Sequence, residues 1–220
     1  MGRFEQVNGK VITAQITPGQ EVLARRGAML AYTGDVHFAP VHGGGGYGGG
    51  MGGMAGRMLA GESVAMMVAQ GQGTVHYGYR GLYVTIVELD GSGPLQVEAD
   101  RLVAHDANLQ STIVMIGQQG GLRGAARSMA TGMGLATTQL HGYGTAALLS
   151  HGGTIAIPVG GGRPVAVDPQ AYVAHVGQVQ VDLSASIGWR DAVGKGSGEA
   201  MQLKLTGQGT VYVQASEQKI

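Results

Sequence analysis

Residues 71–75 read Gly71-Gln72-Gly73-Thr74-Val75, and the pattern returns twice. It reappears as Gly142-Tyr143-Gly144-Thr145-Ala146 and as Gly207-Gln208-Gly209-Thr210-Val211. Glycine tolerates positive φ, so Gly-x-Gly predicts a tight turn between two strands. Threonine and valine then start the next strand with β-branched side chains.

Working outward, the matches multiply. Ala28-Met29-Leu30-Ala31-Tyr32 aligns with Leu102-Val103-Ala104-His105 and with Ala171-Tyr172-Val173-Ala174-His175. An alternating stretch precedes each: Gln20–Ala24, Leu95–Ala99 and Pro164–Asp168. A further strand is predicted after each, at Asp35–Phe38, Ala107–Gln110 and Gln178–Val181. A glycine-rich connection follows, at 42–61, Gly117–Gly134 and Ile187–Gly198. A long strand then leads into Gly-x-Gly: Ser63–Ala69, Thr137–His141 or Ala200–Thr206. Period-2 alternation is plain in Gln202-Leu203-Lys204-Leu205-Thr206. The pattern predicts one all-β domain over 1–220, with three repeats near 10–80, 81–150 and 151–220 around a shared pseudo-threefold core. Helix is expected at most near Met54–Leu59 or Gly124–Met129.

Composition agrees. The 220 residues are 44% hydrophobic and 13% charged, the reverse of a disordered chain. Glycine is abundant at 42 residues and proline sparse at 6, as in tight-turned β proteins. With no cysteine, disulfides, thiolate metal sites and a cysteine nucleophile are excluded. The 14 basic and 14 acidic residues balance, so no net field recruits nucleic acid or anionic lipid. The first ten residues lack a signal-type apolar segment, and no run of about 18 apolar residues occurs. A soluble cytoplasmic protein without an integral membrane segment is expected.

The three-copy pattern, with Arg57-Met58-Leu59-Ala60-Gly61-Glu62-Ser63 after polyglycine, resembles the family named for altered inheritance of mitochondria. Gly196-Ser197-Gly198-Glu199-Ala200 echoes that segment in the third copy, whereas the second has Gly134-Leu135-Ala136-Thr137. The resemblance spans about residues 10–215. It implies three tandem copies of the β unit of the tryptophan RNA-binding attenuation protein (TRAP). It implies no established activity or catalytic residues. Mitochondrial relatives are linked to inner-membrane organisation.

Chemical motifs are weak. Polyglycine at 43–56 satisfies any glycine fingerprint but lacks the strand–loop–helix context that phosphate binding needs. Gly194-Lys195-Gly196-Ser197 departs from phosphate-loop spacing. No Gly-x-Ser-x-Gly elbow and no His-x-His occurs. His105 and His175 occupy matching positions with Tyr32 as the third member, a set that would hold a metal only if symmetry gathered it. RNA binding needs exposed aromatics among basic residues. Aromatics are 5% of the chain, and Arg25-Arg26 and Trp189-Arg190 are the suggestive pairs.

The glycine-rich connections combine apolar bulk with arginine: Met51, Met54, Arg57, Met58 and Leu59, then Arg127 and Met129, then Trp189 and Arg190. Methionine and arginine are favoured at interfaces. The sequence therefore predicts a non-enzymatic scaffold, a homo-oligomer or partner-binding protein without a cofactor. The alternatives are a small-ligand-binding protein with a pocket among the repeats and, third, a metal-dependent enzyme.

Overall fold

Threonine follows each of the three aligned Gly-x-Gly motifs, with valine next after two of them, and β-branched residues favour extended chain. A computed structural model describes residues 3–41, 65–115, 136–185 and 201–220. Over those residues the fold is all-β, with one 3-10 turn at Ala99–Arg101. The first third holds β1 (Phe4–Asn8), β2 (Val11–Ile16), β3 (Val22–Arg25), β4 (Met29–Pro40) and β5 (Met66–Tyr77). The middle third holds β6 (Tyr83–Asp90), β7 (Leu95–Glu98), β8 (Leu102–Asp106), β9 (Gln110–Met115), β10 (Ala136–His141) and β11 (Tyr143–Ser150). The last holds β12 (Thr154–Val159), β13 (Val165–Val167), β14 (Tyr172–Ala185) and β15 (Met201–Gln214).

One sheet runs β1-β2-β5-β3-β8-β11-β6, with β4 also on β5. The other runs β12-β15-β14-β7-β10-β9, with β13 also on β15. The first sheet nearly closes into a barrel. Val84 of β6 donates its amide to the Gly9 carbonyl at 2.9 Å. Gln6 of β1 donates its side-chain amide to the Val84 carbonyl at 3.3 Å.

Gly-x-Gly does not form the expected hairpin turn. Gly71-Gln72-Gly73 lies inside β5, and Gly207-Gln208-Gly209 inside β15. At these glycines each strand changes partner. The first half of β5 pairs with β3, from Arg25↔Met66 to Val22↔Ala69. Its second half pairs with β2, from Ile16↔Gly73 to Ile12↔Tyr77. Along its other edge β4 follows both halves. β15 repeats the arrangement with β13, then β12, and β14 along the whole length.

Close approach explains the glycines. A Cβ on Gly73 would sit 2.0 Å from the Thr33 carbonyl oxygen, and one on Gly209 2.1 Å from that of Val176. Gly71 and Gly207 have φ of 112° and 107°, which side chains resist. The two segments expected at Ala28–Tyr32 and Asp35–Phe38 are likewise one strand, β4.

The middle third is built differently. Gly142, at φ 118°, separates β10 from β11, which enter different sheets. Ala107 and Asn108, expected in a strand, form a turn between β8 and β9. Side chains bridge the gap. Asp106 Oδ2 accepts the Thr145 amide at 2.7 Å, and Asn108 Nδ2 donates to the Tyr143 carbonyl at 3.0 Å.

Among the described residues three apolar clusters form the core. Residues of the middle strands are divided between two of them. Val103 and Ala104 pack with Val22, Val75 and Tyr77, whereas Leu102 and Leu148 pack with Leu95 and Val173. Tyr172, Leu203, Leu205 and Val211 belong to the third.

Candidate functional site

Strand register makes three positions equivalent. Tyr32 pairs with Val75, His105 with Ala146 and His175 with Val211. Each partner is the fourth residue after the first glycine of its Gly-x-Gly. The residue two before Tyr32, His105 and His175 falls at a register shift in every case: Leu30, Val103 and Val173.

On their other edges the three strands differ. β3 covers β8, with Val22↔Asp106, Leu23↔His105 and Ala24↔Ala104. β7 covers β14, with Leu95↔Val176, Gln96↔His175 and Val97↔Ala174. No strand among the described residues covers β4, which pairs with β5 alone. By the same register β13 is the counterpart of β3 and β7. Among the described residues it pairs with β15 alone.

Burial follows the pairing. Leu102, Val103 and Ala104 are buried, as are Tyr172, Val173 and Ala174. Met29, Leu30 and Tyr32 are 41%, 55% and 47% exposed. Tyr32 packs edge-on against Phe38 of the same strand, at 5.4 Å between ring centres. No charged residue occurs from Ala28 to Gly34. An uncovered, uncharged apolar edge is a template for another strand. β12, another edge strand, carries Pro158, which blunts it.

A family model for mitochondrial biogenesis AIM24 matches residues 4–216. The chain belongs to the AIM24 family. Over 97% of the chain, the AIM24 fold here superposes on a structural-genomics crystal structure of a Streptococcus pyogenes protein, with a TM-score of 0.69. The two are 21% identical, and the match covers 92% of that protein. No curated protein matches the sequence.

Two histidines of this AIM24 chain, His105 and His175, are buried and hydrogen-bonded within the fold. His105 Nδ1 donates to the Asp106 carbonyl at 2.8 Å. His175 Nδ1 lies 2.8 Å from the Tyr172 hydroxyl, itself 3.2 Å from the Gln96 carbonyl. Burial lowers both imidazoles from the usual 6.5 to about 4. Desolvation also raises Asp106, against an Arg3 ion pair at 2.8 Å. His105 and His175 sit in different sheets while Tyr32 is exposed, so the three do not converge. Among the described residues no cluster of metal-ligating side chains occurs. Nor is any described helix long and apolar enough to cross a membrane.

A second polar cluster ties the middle and last thirds together. Arg101 is fully buried and donates through Nε to Glu98 at 2.6 Å. Lys219 donates to the other oxygen of Glu98 at 2.6 Å and to the Pro169 carbonyl at 3.0 Å. Gln214 accepts from Arg101 and donates to the Gln218 carbonyl at 2.7 Å. Every charge is paired, so the cluster acts as a clamp.

The interaction residues expected from sequence, Met51, Met54, Arg57, Met58, Leu59, Arg127, Met129, Trp189 and Arg190, lie outside the described residues. So do Met54–Leu59 and Gly124–Met129, where short helix was expected. Sequence reasoning found the Met29–Tyr32 quartet as a repeat element but not as a surface. The first three residues of each quartet are largely apolar, so they gave no sign of which quartet is open.

Proposed function

We propose that this AIM24 chain is a non-enzymatic scaffold that binds another polypeptide by strand addition at the first half of β4. The reading treats the chain as one domain of three tandem TRAP-like units. It is pseudo-threefold in its count of units, with two of three inter-unit junctions made within the chain. One observation carries it: the Met29–Tyr32 quartet is exposed where its counterparts are buried under a neighbouring strand. Burying each large apolar side chain contributes about 1.5–3 kcal/mol, and backbone pairing adds direction.

Native mass spectrometry of untagged protein tests the reading. Polypeptide complexes above the 22.4 kDa chain are expected. They should disappear in Leu30→Asp, with the β-sheet circular dichroism unchanged. A stoichiometric small molecule, held equally by wild type and variant with no polypeptide complex, decides for the ligand-binding alternative.

A further inference from the structure

We propose that the strand laid on β4 is β13 of a second copy of this chain, paired antiparallel with Pro164 opposite Gly34, Val165 opposite Thr33, Ala166 opposite Tyr32 and Val167 opposite Ala31. The proposal rests on the open-edge reading above and names its occupant. Copies then associate head to tail, each using β13 on one side and β4 on the other.

The register comes from the two junctions already made. Leu23 faces His105 and Gln96 faces His175. Ala166 and Tyr32 hold the corresponding positions on the two strands left uncovered. The pairing continues one residue further in both junctions. Ala107 donates its amide to the Glu21 carbonyl at 3.1 Å, and Gly177 donates to the Pro94 carbonyl at 3.0 Å. Pro164 stands where Pro94 does, immediately before its strand. Gly34 stands where Gly177 does, with φ of 89° against 104°. The third junction therefore repeats the proline carbonyl and the glycine amide of the second. Proline accepts without needing to donate, which suits this rung.

Charge extends the match. One residue beyond Pro164 and Gly34, the register sets Arg163 opposite Asp35. Both are exposed in the single chain, where Asp35 lies 3.3 Å from His37. Between those flanks neither edge carries a charge: Val165-Ala166-Val167 faces Ala31-Tyr32-Thr33. Closure within one chain would bury Met29, Leu30 and Tyr32, yet all three are exposed. The contact uses different surfaces on its two sides, so it is heterologous. Such contacts close into rings or run on as filaments, and do not stop at a two-fold dimer.

The chain has no cysteine, which makes the test direct. Ala166→Cys and Tyr32→Cys proteins, one labelled with nitrogen-15, are mixed under mild oxidation. Directly opposed residues in antiparallel strands fall within disulfide range. The mixed disulfide is expected to exceed either homodisulfide at least severalfold. Tyr32→Cys mixed with Ile155→Cys, on the exposed part of β12, should give no such excess. The double variant Tyr32→Cys/Ala166→Cys should yield covalent multimers, whereas an intrachain disulfide at monomer mass overturns the proposal. Arg163→Glu should weaken sedimentation-detected association, and adding Asp35→Arg should restore it. Dominant Tyr32–Tyr32 homodisulfide means a two-fold contact and also overturns it. If Leu30→Asp abolishes a complex with a different polypeptide while no mixed disulfide forms, the head-to-tail proposal fails and the scaffold reading stands.

Discussion

β4 and β14 have nearly the same skeleton and opposite surroundings. Each pairs along its length with a strand that changes its other partner at Gly-x-Gly, and each shifts register at its second residue. Met29, Leu30 and Ala31 match Tyr172, Val173 and Ala174 through these ladders. β7 covers the start of β14, whereas nothing described covers the start of β4. Internal pairing thus specifies a strand's shape, and the neighbour on its outer edge specifies its burial.

The contrast breaks first at its most buried position. Tyr172 is fully buried, so Tyr172→Ala should cost about 3–5 kcal/mol in chemical denaturation. A loss below 1 kcal/mol would mean that β14 is no better covered than β4. The likeness is tested next by Gly73→Ala and Gly209→Ala. Each places a methyl group against a carbonyl oxygen of the facing strand. Both should lose roughly 3 kcal/mol, and by similar amounts, because the corners are alike. A large loss in one alone would show that the two corners differ.

Titration sharpens the contrast at the next residue pair. His175 and His105 are lowered to about 4, below their unfolded value. The unfolded chain then binds more protons between pH 6.5 and 4. Their stabilisation is complete above about pH 6.5 and is lost as pH falls through that window. Asp106, raised by desolvation, moves the other way and offsets part of the loss. His175→Gln should flatten the decline in melting temperature between pH 6.5 and 4. The smallest effect is expected at the exposed counterpart of Tyr172. Met29→Ala should change the stability of dilute protein by no more than about 0.5 kcal/mol.

Much of this was legible before any coordinates. The Gly-x-Gly spacing predicted the β structure, and the aligned quartets picked out Tyr32, His105 and His175, which pair with Val75, Ala146 and Val211. The expected turn was misread because glycine serves two purposes. It permits positive φ, and it also lets two backbones approach within a Cβ of each other; at Gly73 and Gly209 the second decides. Strands β1, β2, β6 and β12 were not assigned, since they lie outside the aligned motifs. The open surface on β4 was hidden because burial depends on a third strand far away in sequence.

The side-chain bridge at Asp106 and Asn108 has a mechanical consequence. In β4–β5 and β14–β15 the ladder is continuous through the corner, so opening one half strains the other. In the middle unit the ladder is interrupted, and a carboxylate and an amide span the break. Opening there disturbs two side-chain bonds and a few flanking rungs rather than a long strand pair. Local opening units are bounded where cooperative pairing lapses. The centre of the chain, although β8 is buried throughout, is therefore where the two sheets have a joint.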